Sequence, residues 1–109
     1  MPDNSEIERR TKAALEAIQH TLGTAGDEYG ATLFVKHHVA ELPASYWKEH
    51  LGTAHPKPTD VVGLLELRSH WGKRKLETFD FSLPGDVTNY VISVHFDQAG
   101  LVDGIEMES

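Results

Sequence analysis

The chain has no cysteine among its 109 residues. That excludes a disulfide framework and the thiolate-held zinc sites, and it fits a reducing compartment. Basic residues are also scarce, with ten Lys and Arg against seventeen Asp and Glu and a formal net charge of −7. Such a balance repels phosphate backbones, so nucleic acid is not an expected partner. The one basic run, Gly72-Lys73-Arg74-Lys75, is too short to track a groove and reads as a solvated loop. No apolar stretch approaches the roughly twenty residues of a membrane span, and the opening MPDNSEIERR lacks the apolar segment of a secretory signal. The expected location is the cytoplasm. No glycine-rich phosphate loop follows a strand pattern, and no cofactor is expected.

What is present is ordinary for a globular protein, 39% hydrophobic and 25% charged, and the length suits one domain over residues 1–109. Ser5-Glu6-Ile7-Glu8 has the form of a capping box. Behind it Ile7, Thr11, Ala14, Leu15, Ile18 and Leu22 recur at helical spacing, and Gly23 supplies a left-handed stop. Asp27–Leu42 reads as a second helix with Ala31, Phe34, Val35, Val39 and Leu42 on one face, closed by Pro43. PASYWKEHLG supports a short third helix ended by Gly52. After the extended AHPKP connector, Thr59 is placed to cap a fourth helix from Asp60 to about Trp71, whose wide apolar arc predicts burial on several sides.

From Leu76 the apolar period changes to two. LETFDFSL and TNYVISVHF alternate Phe79, Phe81, Leu83 and Tyr90, Ile92, Val94, Phe96 against polar residues, and LVDGIEME continues with Ile105 and Met107 inward. PGDV read as a four-residue turn pairs Phe81 with Tyr90 and Phe79 with Ile92. DQAG forms the next turn, and Gly104 marks a bulge. The expected fold is α+β, four helices followed by a three-stranded antiparallel β-meander, with the helices packed on one sheet face. Thr78, Asp80, Ser82, Val91, Ser93, His95, Glu106 and Glu108 would then line a face that no helix covers.

The stretch LFVKHHVAELPASYWKEH concentrates His37, His38, Glu41, Tyr46, Trp47 and His50. His38 falls within the apolar stripe and His37 at its edge, about 100° apart, so the two cannot easily hold one ion together. Neither His-Glu-x-x-His nor paired Glu-x-x-His is matched, and a structural role for His38 competes with any ligand role. Arg68 falls inside the apolar arc of the fourth helix, where it either extends over the core edge, meets a carboxylate such as Asp103, or anchors an anion or partner. Glu66 and His70 form an i,i+4 pair on that helix. Ser93, His95 and Asp97 lie side by side on one strand without a nucleophile elbow, so no catalytic residue is assigned and an enzyme is not favoured.

LELRSHWG, TFDFSLPGDVTNYVISVHFD and the closing IEMES resemble a family of short uncharacterised bacterial proteins classed as a domain of unknown function, over Tyr29 to Ser109. The resemblance implies a bacterial cytosolic origin and carries no functional residue. The expected function is a non-enzymatic protein-interaction module whose acidic surface or open sheet meets another protein, a second copy of itself being one candidate. An acidic inhibitor of a basic enzyme fits the same charge. The alternative is a small-molecule or metal-binding domain using His37, His38 and Glu41, with Tyr46, Trp47, His50 and Arg68 as further ligand-binding candidates.

Overall fold

The computed structural model describes residues 4–24, 27, 30–73 and 76–108. Four helices, α1 (Asn4–Thr21), α2 (Ala31–Glu41), α3 (Ala44–Leu51) and α4 (Pro58–Val62), precede four strands, β1 (Glu66–Trp71), β2 (Thr78–Ser82), β3 (Val91–Phe96) and β4 (Val102–Glu108). The strands form one antiparallel sheet in the order β1-β2-β3-β4. The fold is α+β, with a four-stranded sheet in place of the three strands expected.

The extra strand comes from the expected fourth helix. That helix stops after five residues, at Gly63, and the amides of Leu64 and Leu65 reach back only three residues, to the carbonyls of Val61 and Val62. This tight final turn releases the chain. Glu66–Trp71 then pairs with β2, satisfying a strand edge that would otherwise present bare backbone groups. Val61, Val62 and Leu65 are buried as expected, but Trp71 is 50% exposed and closes no core. Lys57, rather than Thr59, precedes the first helical turn, and Asp60 Oδ2 accepts its amide at 3.2 Å.

The first two helices follow their sequence signals with local changes. Gly23 adopts φ 80° just past α1, and the head of that helix is tied by Glu6, which accepts from both Arg9 and Arg10. Those two guanidiniums hold the Glu6 carboxyl down at about 2. α2 begins at Ala31 instead of Asp27. Asp27 sits before it and caps it, Oδ1 accepting the Ala31 amide at 3.0 Å and Oδ2 the Thr32 amide at 2.9 Å. Gly30 fits between Asp27 and β4, where an added Cβ would lie 2.7 Å from Asp27 Oδ1 and 3.2 Å from the Ile105 carbonyl. Leu42 turns extended ahead of Pro43, and Gly52 ends α3 at φ 72°. Val39, expected on the buried stripe of α2, is exposed, while His38 points inward.

Phe79 faces Val94 and Phe81 faces Ile92 across β2 and β3. The register is two residues from the expected one, because Leu83–Tyr90 forms a longer loop than the four residues of PGDV. A shift of two preserves which side chains share a face. Phe79, Phe81, Ile92 and Val94 are fully buried, together with Ile18, Phe34, Trp47 and Val61 from the helices. α1 and α2 lie across β4, α2 also touches β3, and α4 packs on both helices. Each edge strand carries one unpaired bulge residue, Arg68 on β1 and Asp103 on β4, beside the expected Gly104. No helix among the described residues is long and apolar enough to cross a membrane.

Inward and outward positions are separable by mutation. Phe81→Ala should lower the unfolding free energy by roughly 3–5 kcal/mol in a urea titration. Trp71→Ala, on the uncovered face, should cost about 1 kcal/mol or less. Equal losses would contradict the assignment of the two faces.

Candidate functional site

Two places gather the polar chemistry. One is the β2–β3 loop, Leu83–Tyr90, and the other is the sheet face that carries no helix.

His38 is 1% exposed, with its ring tilted against Phe34 at 4.1 Å and edge-on to Tyr90 at 5.8 Å. Its Nδ1 lies 2.7 Å from the Phe34 carbonyl oxygen, an acceptor only, so Nδ1 bears the hydrogen. Nε2 is then bare and accepts from the Thr88 hydroxyl at 2.9 Å. Burial pushes the imidazole below the usual histidine range. The Phe34 carbonyl and Glu41 pull the other way, and His37 adds to the lowering. Both ring nitrogens are engaged, so His38 has no lone pair to give a metal in this arrangement. Among the described residues no group of three or more His, Asp or Glu is placed to hold one.

Some of the other candidates gather around the same loop. His37 packs edge-on against Tyr90 at 4.8 Å and against His38 at 4.9 Å. The Tyr46 hydroxyl donates to the Pro84 carbonyl at 2.7 Å, and burial, followed by Glu66 and Glu49, raises its pKa. The His50 ring lies tilted against Tyr46 at 4.4 Å. Trp47 is buried in the core with its Nε1–H unmatched, and Glu41 is exposed. Arg68 Nη2 donates to the Thr88 carbonyl at 3.1 Å and pairs loosely with Asp86 at 3.5 Å. The suggested Arg68–Asp103 pair does not form, because the two residues occupy opposite edge strands. An open pocket of about 170 Å³ lies between β1 and the loop, its lining including Glu66, Arg68, Ser82, Leu83, Gly85 and Asp86.

The structure thus brings His37, His38, Tyr46 and Arg68 to one loop, and leaves Trp47 and Glu41 outside it. Thr88, Pro84 and Tyr90 complete the cluster and had no local signal, since Thr88 meets a histidine fifty positions away.

The outward face of the sheet continues the expected polar row, with Thr78, Ser82 and Ser93 of the central strands buried, and adds the exposed Ser69 and Trp71 from β1. Asp80 Oδ2 accepts the Trp71 indole N–H at 3.0 Å and the Ser69 hydroxyl at 3.4 Å. Ser93 Oγ lies 2.6 Å from Asp80 Oδ1 and 3.0 Å from Glu108 Oε2, so its single hydrogen serves two carboxylates in turn. Thr78, His95 and Glu106 form a second chain across the strands, at 3.1 and 2.9 Å. Asp97 is occupied in its own turn, accepting the Ala99 and Leu101 amides. Ser93, His95 and Asp97 therefore serve three separate purposes. Glu66 and His70, expected as a helical pair, stand on a strand, where four residues span about 13 Å. His70 stacks on Phe79 instead.

Comparison with protein-family models, with curated proteins and with solved structures returns no match to this chain.

The loop ties predict graded costs in chemical denaturation. Tyr46→Phe leaves the Pro84 carbonyl without its donor and should cost about 1 kcal/mol. Arg68→Ala removes an exposed pair and should cost less than about 1 kcal/mol. A larger loss for Arg68 than for Tyr46 would reverse the ranking.

Proposed function

We propose that this chain is a non-enzymatic protein-interaction module that presents its uncovered sheet face to a partner protein with a basic surface. The observation that carries this reading is the make-up of the face. Trp71 is half exposed beside Asp80, while Glu106 and Glu108 continue the acidic row across β4. The only Lys or Arg in the four strands is Arg68, which turns away to the β2–β3 loop. An aromatic with its polar edge already satisfied suits the centre of a contact, and a polar surround suits a wet, reversible one.

Charge also bears on the partner. A second copy docked through the same face would set carboxylates against carboxylates, which is unfavourable once they are desolvated. A basic partner gains attraction and faster encounter from the same groups. The small-molecule reading is weaker, because His38 is committed to Phe34 and Thr88.

The test is site-specific photocross-linking in cell extract, with the reactive side chain at Trp71 or, as control, at Gln19 on exposed α1. Adducts are expected from position 71 and not from 19. They should fade as salt is raised, and Glu106→Lys with Glu108→Lys should weaken capture by at least about tenfold without moving the melting point appreciably. Adducts from position 19 alone, or a chain that dimerises through the face in sedimentation runs, would count against the proposal.

A further inference from the structure

We infer that the outward face of the sheet receives an arginine side chain from its partner, the stem lying across the Trp71 indole and the guanidinium seated above Ser93 between Asp80 and Glu108. This rests on the interaction reading above and narrows it from a basic surface to one kind of side chain.

Trp71 supplies the platform. It is the one aromatic among the exposed large hydrophobic residues. Its Nε1–H donates to Asp80 Oδ2 at 3.0 Å, which turns the indole from β1 toward β2 and holds it there. Thr78, its cross-strand neighbour, is buried on a side that no helix covers, in keeping with an indole that lies over it. Half of Trp71 nevertheless stays open to water. The open face of an indole is apolar and electron-rich, and it suits a cation carried on a hydrocarbon stem.

The charge beside this platform is unmatched within the chain. Ser93 is fully buried, and its Oγ lies 2.6 Å from Asp80 Oδ1 and 3.0 Å from Glu108 Oε2. A single hydroxyl hydrogen cannot serve two carboxylates at once. Asp80 has further neutral donors in Trp71 and Ser69, whereas Ser93 is the only side-chain donor that reaches the Glu108 carboxylate among the described residues. No salt bridge among those residues reaches either carboxylate. Glu106 differs, because His95 Nε2 stands 2.9 Å from its Oε1. Two carboxylates that touch one neutral hydroxyl repel each other until a cation comes between them.

The gap between them selects among cations. A guanidinium is planar, weakly hydrated and forked, so one head can give to Asp80 and Glu108 together while its stem stays on the indole. An ammonium is a compact, strongly hydrated point that satisfies one carboxylate at a time. A divalent metal needs more ligands, and among the described residues no third His, Asp or Glu stands close enough to complete a set. Phosphate-bearing partners are repelled by the same carboxylates. An arginine of a protein partner uses the ring and both charges.

NMR titration of the full-length chain with acetyl-arginine amide, acetyl-lysine amide and acetyl-citrulline amide tests this, citrulline having the shape of arginine without its charge. Arginine amide should shift the Trp71 indole N–H and the Ser93 amide saturably, binding at least about threefold tighter than lysine amide, and citrulline amide should not saturate. Glu108→Gln, a change on an exposed edge side chain, should weaken arginine amide at least about fivefold, and Glu106→Gln less than about twofold. Equal binding of arginine and lysine, shifts centred on the Asp97–Leu101 turn, or a Glu108→Gln chain that binds as before would each overturn the inference. Salt-sensitive adducts from position 71 without any preference for arginine would sink it while leaving the interaction reading in place. Adducts from position 19 alone would sink the reading from which it starts.

Discussion

The pairing of Phe79 with Val94 and of Phe81 with Ile92 is the constraint from which the rest of the molecule follows. Aromatic rings set against branched aliphatics give the two central strands a fully buried side, and the helices supply its cover. Because side chains alternate strictly along a strand, the same register places Asp80 opposite Ser93 on the other side. The inward residues thus decide which polar groups meet outside. Hydrophobic packing and the hydrogen-bonded acidic row are two faces of one pairing.

His38 couples the layers in a different way. A histidine in an otherwise apolar stripe would be costly if either nitrogen lacked a partner. One nitrogen is satisfied within α2 itself, and the other requires Thr88, so the helix cannot complete its own polar requirements without the loop between β2 and β3. The packing of α2 and the conformation of that loop are consequently set together.

Much of this was legible in the sequence, and what was not has physical causes. The period-two rows of β2, β3 and β4 marked the strands and the uncovered face, and they survived an error in register because that error was an even number of residues. The stretch after Gly63 has the spacing of a helix and forms a turn and a strand. Leu64, Leu65, Leu67 and Trp71 fit a helical spacing, yet Leu64 and Leu65 lie in the tight turn after α4 and only Leu67 and Trp71 enter the bulged strand, which is short enough to be decided by the neighbour it pairs with. Asp27 fits the helical spacing but lies three residues before the N-cap Gly30, its carboxylate accepting the first amides of α2, a distinction that depends on which way that carboxylate turns. The candidate site was legible only in part. His37, His38 and Tyr46 stood out by local density, but their partners Tyr90, Thr88 and Pro84 come from the far half of the chain, and no local pattern announces them.

The two bulges bear on how the molecule behaves in a crowd. An open four-stranded sheet ends in strands whose unused amides and carbonyls could recruit further strands, the route to fibres. Here each outer strand is interrupted by a single charged residue, Arg68 on one side and Asp103 on the other. Such an interruption bends and twists the ribbon, breaks the regular ladder of donors and acceptors, and places a charge where an incoming strand would have to shed water. Growth of the sheet by edge addition is thereby discouraged at both ends, leaving the molecule free to expose the outward face of its sheet without polymerising through its rims.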